Sequence, residues 1–431
     1  IISLKRPNGE TLTYEYQTVV LEKPVDPPIQ MTATRLGSVT SNLGYQVRPD
    51  YEIDQAYYTS HRAGYLRVVG ATAENLVTGA TSVAAYGTGT VTRSGITTHY
   101  GFGTHGLTSI RRPTSTVDDI VVTYDSAGRV QTWSDNGSTW TYAYSLSGST
   151  LTTTVTNPLS QTETYVSNTS TNRLTSRRDS LTPPTSYEYD TYGRLTRATL
   201  PEGNYTQYAY DGRGNVTTTT RVAKAGSGLP NIVTSATYPT TCANPVTCNK
   251  PTSTTDAHGV TNYVYDSIHG GPLTVTEPLP VAGAVRPQTR YTYQSMYAWY
   301  PAAQPVTLLT QTSQCTTLAS CVGTADEVRT TIDYGAAGAP SNRLPVQVST
   351  GSGDGALTAT TALAYTPHGD VQSVDGPLLG SDDVTTYRYD DKRRLVGAIG
   401  PDPDGAGALQ RSAIRNTYNL DNQITLAEQG T

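Results

Sequence analysis

Residues 185–216 read TSYEYDTYGRLTRATLPEGNYTQYAYDGRGNV. Tyr187 alternates with Tyr189, and Tyr208 with Tyr210, so each pair occupies one face of an extended strand. Asp190 and Asp211 follow the second tyrosine, and Gly193 and Gly214 come three residues after the aspartate. Aspartate accepts hydrogen bonds from turn amides and glycine takes positive φ, so the chain reverses there. A second strand runs back through Arg194-Leu195 or Asn215-Val216. Pro201-Glu202-Gly203 then marks a far-side turn before the next tyrosine strand. One unit is therefore a hairpin of two strands and two turns.

Working outward, the unit recurs. Its closing tyrosine stands at Tyr124, Tyr144, Tyr165, Tyr189, Tyr210, Tyr238, Tyr265, Tyr293, Tyr334, Tyr365, Tyr389 and Tyr418, mostly 20 to 31 residues apart. Asp125 with Gly128-Arg129-Val130 repeats the turn, and glycine again sits four after the tyrosine at Gly148, Gly338 and Gly369. Twelve to sixteen such hairpins would give about 24 to 32 strands, which rolled into one turn make a ring roughly 40 to 50 Å across, too open to seal a domain-sized cargo alone. Two units depart from the rule: Arg393 and Asn422 stand where glycine is expected. Asparagine tolerates left-handed geometry, whereas arginine costs on the order of 1 kcal/mol there, so a different turn type is expected after Tyr389. The alternation of tyrosines also favours ring stacking between neighbouring strands. Arg129, Arg177, Arg178, Arg194 and Arg394, near Asp125, Asp179 and Asp190, read as cross-strand surface pairs that fix register, each contributing at most about 1 kcal/mol.

Composition agrees with an all-β chain. Of 431 residues, 36% are hydrophobic and 15% charged, with 31 tyrosines against one phenylalanine, and threonine is the commonest residue. That is strand composition, and it excludes a helical bundle. Recurrent period-2 patterns with a net charge of only -5 disfavour disorder. The same charge offers no field for nucleic acid, and no apolar run reaches a membrane span. Residues 1–99, with Tyr45, Tyr51, Tyr57, Tyr58, Tyr65 and Tyr86 but no clear turn signature, read as degenerate β-repeats or a small β-domain. Residues 100–431 read as the repeat proper, with cysteine-bearing insertions near 240–250 and 313–323. The chain opens at Ile1 inside a strand-like pattern, which suggests a piece of a longer or processed protein.

The four cysteines form two pairs of equal spacing, Cys242 with Cys248 and Cys315 with Cys321. Across short turns this suits two local disulfides and an oxidising compartment, with free thiols the alternative. Zinc is disfavoured, since its cysteines usually stand two to four apart with more ligands nearby.

The Tyr-Asp…Gly-Arg-Leu/Val pattern with Pro-Glu-Gly…Tyr-x-Tyr-Asp resembles the YD repeat of the Rhs family, found also in teneurins and the C component of insecticidal toxin complexes. The resemblance is repetitive over 100–431 and partial before that. It implies a continuous antiparallel sheet of hairpins wound as an open spiral, barrel or shell, commonly around a toxic polypeptide. The expected role is a non-catalytic shell or scaffold segment of a secreted or cell-surface protein, bacterial by its resemblance. Its partners would be its own or an associated cargo polypeptide, or copies of itself, with carbohydrate a further candidate. The alternative is an extracellular fibre or adhesin assembled from such chains.

Sites of chemistry are not signalled. Gly101-Phe102-Gly103-Thr104-His105-Gly106 matches a dinucleotide-binding pattern, yet Pro113 and β-branched residues follow in place of a helix, so turn glycines are expected and no cofactor. Asp402 to Gly405 reads as a far-side turn rather than protease aspartates. Residues 351–355, GSGDG, read as a flexible loop. His258, His269 and His368 read as solvated turn residues, and no metal-ligand spacing occurs.

Overall fold

The computed structural model describes residues 2–23, 29–51, 67–299, 304–315, 317–318, 320–336, 341–380, 382–405 and 407–431. Gly338 and the tyrosines Tyr57, Tyr58 and Tyr65 lie outside the described residues. Among the described residues there are 33 strands and no helix, joined as one antiparallel sheet. The all-β class follows from the alternating tyrosines and the turn residues between them. By contact the chain divides into two compact units, Ile1–Thr98 with Ile268–Leu273 and Gln288–Thr431, and His99–Ser267 with Thr274–Pro287.

In the second unit each strand turns back on its predecessor. Ile120–Tyr124 pairs with Val130–Asp135, which pairs with Ser138–Ser147 in turn. Along Ser138–Ser147 the residues Trp140, Tyr142 and Tyr144 are half-buried while Thr141 and Ala143 are exposed. The period-2 pattern thus has one aromatic face and one face of small polar residues. The register slips by one residue at the repeat tyrosine itself, at Thr123/Tyr124, Glu188/Tyr189 and Ala209/Tyr210. Tyr189 pairs with Leu195 and Tyr210 with Val216 across these bulges. A bulge there twists the strand and re-aims the ring.

The first unit repeats the device at Thr292/Tyr293, Ala364/Tyr365, Arg388/Tyr389 and Thr417/Tyr418. It also joins hairpin ends far apart in sequence. Asn342 donates to the Leu43 carbonyl at 2.8 Å, and Asn75 donates to Asn342 Oδ1 at 2.8 Å and to the Pro367 carbonyl at 3.1 Å. Both asparagines are buried, so this amide chain satisfies groups that would otherwise be costly to bury. Cys315, Cys321 and Glu327 are fully buried at one end of strand Val306–Cys315, and Val306 is fully buried at the other. The buried Glu327 carboxylate accepts from Ser313 and from the Gly323 amide, and Gly353 donates its amide to the Glu327 carbonyl. Residues 351–355 therefore form a strand end and a tight turn packed on Glu327, in place of the flexible loop expected from their glycines.

Candidate functional site: a tyrosine and arginine lattice

Each repeat turn is built around one carboxylate. Asp190 Oδ1 accepts from the amides of Tyr192 and Arg194, both at 2.9 Å, while Oδ2 takes the Arg194 Nε at 2.6 Å. The Gly193 amide closes the turn on the Asp190 carbonyl at 2.9 Å, with glycine at φ 77°. This is a type I turn followed by a left-handed residue. Asp125 repeats the set with Ala127 and Arg129, and Gly128 stands at φ 78°. Asp211 repeats it with Arg213 and Asn215, and Gly214 stands at φ 91°. Hydrogen bonds from the Arg129 amide and guanidinium hold the Asp125 carboxyl below the usual aspartate range. At Asp190 desolvation pushes upward, and the Arg194 bonds outweigh it, so that carboxyl is also lowered. The ion pairs Asp125–Arg129, Asp190–Arg194 and Asp390–Arg394 thus lie within turns, not across strands as read from sequence. Arg177 does pair across strands, with Glu163 at 2.9 Å.

The turn after Tyr389 overturns another expectation. Arg393 adopts φ 64° and donates its amide to the Asp390 carbonyl at 3.0 Å, so the turn is of the same type as its glycine-bearing fellows. Its guanidinium is held by Asp370 through Nε at 2.9 Å and Nη2 at 2.6 Å, an interaction that offsets left-handed strain. Asn422 takes φ 63° in the same way.

The tyrosines are fastened by their hydroxyls. Tyr144 donates to the Val130 carbonyl at 2.7 Å, Tyr210 to Leu195 at 2.7 Å, Tyr389 to Val371 at 2.9 Å and Tyr418 to Leu395 at 2.8 Å. Tyr124, Tyr189, Tyr238, Tyr293, Tyr334 and Tyr365 do likewise with Leu107, Leu174, Val216, Pro272, Leu309 and Pro345. In the clearest units the acceptor is the residue directly after the turn arginine or its substitute. Burial pushes the Tyr210 phenol above the usual tyrosine range, keeping it a donor. Two units differ: Tyr165 donates to Glu163, and Tyr265 stacks on Tyr263 at 6.1 Å with Lys250 over its ring at 5.2 Å.

Arginine supplies the second fastening. The Arg129 guanidinium lies 4.3 Å from the Tyr144 ring centre, Arg194 4.7 Å from Tyr210 and Arg394 4.8 Å from Tyr418. One arginine therefore holds the aspartate of its own turn and covers the tyrosine of a later strand. Cation–ring and hydroxyl–carbonyl contacts do the work that stacking of ring on ring was expected to do. The geometry extends into the first hundred residues, where Tyr51 donates to the Leu36 carbonyl at 2.8 Å under Arg35 at 4.3 Å.

The remaining candidates have structural surroundings. Cys242 and Cys248 Sγ lie 1.94 Å apart, and Cys315 and Cys321 2.08 Å apart, both at bonding distance. Cys315, Cys321 and Asp326 cluster, but both thiols are in the bridge, which leaves no thiolate pair for a metal. Residues 101–106 join strands Ile96–Gly103 and Gly106–Arg111 in a hairpin, without the helix a dinucleotide needs. Asp402 to Gly405 lie in a turn. His258 is exposed as expected, whereas His269 packs on Tyr293 at 4.4 Å and His368 meets the Thr81 carbonyl at 3.2 Å, so these two are not simply solvated. No helix among the described residues is long and apolar enough to cross a membrane.

The RHS Repeat family pattern matches residues 169–205 and 189–225. Comparison with curated proteins finds no match. Among solved structures the chain is similar to the crystal structure of TcdB2-TccC3-TEV, at 14% identity and a TM-score of 0.58, over 98% of this chain and 22% of that one. It is also similar to a Photorhabdus luminescens Tc holotoxin pore bearing a substitution in TccC3, at 12% identity and a TM-score of 0.56, over 97% of this chain and 24% of that one. The chain thus spans under a quarter of the length of either, and the likeness is one of fold. Two overlapping copies of the pattern lie in the stretch whose turns and hydroxyl bonds recur along the chain, so residues 169–225 carry RHS repeats within a repeat-built β-sheet.

Proposed function

We propose that the chain is a wall segment of a secreted or cell-surface RHS-type container that encloses a polypeptide and works without catalysis. The hydroxyl lattice carries the reading. The repeat tyrosines, and the turn arginines that cover Tyr144, Tyr210 and Tyr418, are committed to holding neighbouring strands, from Tyr51 to Tyr418. Area supports it too: the chain exposes 25562 Å² at 46.0 kDa, against roughly 16,000 Å² for a compact monomer of that mass. Surface on that scale calls for cover, which a cargo, further chain or copies of itself would supply. One of the similar structures is a Tc holotoxin pore and the other is TcdB2-TccC3-TEV, which fits such partners. Limited proteolysis of the natural protein carrying this chain tests the reading. A cargo polypeptide resists digestion until the sheet is denatured; digestion at the same rate before and after would refute it.

A further inference from the structure

The turn after Tyr389 differs from its fellows in carrying Lys392-Arg393-Arg394, three cations in a row, where the Asp125 and Asp190 turns have glycine and one arginine. Backbone strain at Arg393 is tolerated here, and strain of that kind concentrates at sites with a task. Across a cleft of about 360 Å³ this turn faces strands Ala80–Gly87 and Thr90–Arg93, all within one compact unit. Lys392 and Arg393 line it from the repeat turn, Arg93, Thr92 and Ser94 from the opposite hairpin, and His368 lines it too. A neighbouring cleft of about 270 Å³ shares Arg93, Ser94 and Lys392 and adds Arg394.

The charges do not balance. Asp370 is taken by Arg393, Asp391 by Lys392 at 3.0 Å and Asp390 by Arg394 at 2.7 Å. Arg93 makes no ion pair among the described residues and is exposed. Arg93 therefore lines both clefts without a counter-ion, while Lys392 opposite it keeps Asp391, which also lines the first cleft, and an anion placed between the two cations would supply the charge Arg93 lacks.

We propose that this cleft binds a tetrahedral oxyanion, a phosphate or sulfate group, gripped by Arg93 from one wall and Lys392 from the other. The hydroxyl of Ser94 supplies a neutral donor for a remaining oxygen, and that of Thr92 a second when Thr97, which it meets at 2.7 Å, donates to it. A free ion and an ester on a larger molecule present the same group, and the tetrahedral shape suits donors arriving from two walls better than a planar carboxylate does. Bound there, the anion ties residues near 93 to residues near 392, stretches about 300 positions apart, in the direction already set by Asn75 and Asn342.

Isothermal titration of the whole chain with inorganic phosphate, and separately with phenyl phosphate, tests this. The expected result is saturable binding of one equivalent, weakened about tenfold or more by Arg93→Gln and by Lys392→Gln, with Arg178→Gln, an exposed arginine elsewhere, unchanged. Tighter binding of the ester than of the free ion assigns the site to a larger molecule, and the reverse assigns it to the free ion. Circular dichroism confirms that each variant is folded. No saturable heat, or equal affinity in the two glutamine variants and the parent, overturns the proposal.

Discussion

The hydroxyl of Tyr210 donates to the carbonyl of Leu195 at 2.7 Å, while Arg194, the residue before that carbonyl, lies over the Tyr210 ring at 4.7 Å. One strand is thereby tied to the turn that preceded it, by its ring face and by its polar tip. The same pair of ties joins Arg129 and Val130 to Tyr144, and Arg394 and Leu395 to Tyr418.

Removing the tip alone should measure that tie. Tyr210→Phe keeps the ring and deletes the donor, so it is expected to destabilise by about 1 kcal/mol. Tyr208→Phe, two residues earlier, deletes a hydroxyl with no carbonyl assigned to it and is expected to change stability by less than about 0.5 kcal/mol. Thermal melting of the two variants beside the parent checks the order.

Acid stability follows from the turn carboxylates. Asp125, Asp190, Asp211 and Asp390 all have lowered pKa values in the folded chain. A depressed carboxyl contributes stability that is complete above its unfolded value, about 3.9, and is lost as pH falls through the folded value. The melting temperature is therefore expected to be flat from pH 7 to about 5 and to drop below about 4. Asp190→Asn should make that drop shallower. A rise in stability on acidification would contradict the assignment.

Arg393 offers a double-mutant cycle with Asp370. Arg393→Ala keeps the left-handed strain and loses the bidentate pair, so it is expected to destabilise. Arg393→Gly loses the same pair and relieves about 1 kcal/mol of strain, ending near neutral. Asp370→Asn should lower stability in the parent and do little in the Arg393→Gly background. Chemical denaturation of the four chains reads the coupling.

The two bridges differ in access. Cys242 is exposed, whereas Cys315 and Cys321 are both fully buried. Graded reduction followed by alkylation and mass spectrometry is expected to label Cys242 and Cys248 first. Replacing that pair by serine should cost about 2 kcal/mol on the chain-entropy estimate for so short a loop. Labelling of all four cysteines without reductant would show that no bridge forms.

The hairpin was legible in the sequence because its determinants are local: an aspartate, a left-handed position three residues on and alternating tyrosines. The partner of each hydroxyl was not, since it is a backbone carbonyl 14 to 25 residues back and carries no side-chain signature. A hint did exist in the Val130, Leu195 and Leu395 that follow each turn arginine. Arg393 was misread because its strain is visible locally while Asp370, which offsets it, lies 23 residues earlier. Asn75 and Asn342 could not be matched at all, being 267 residues apart with only an amide in common.

The central claim is that this chain is wall and not machine. Electron cryo-microscopy of the full natural protein carrying it tests that most directly. The account predicts a closed β-sheet wall in which Tyr210 and its fellows join adjacent strands, with polypeptide density inside. Long filaments assembled through sheet edges, or a wall closed around no polypeptide at all, would contradict it.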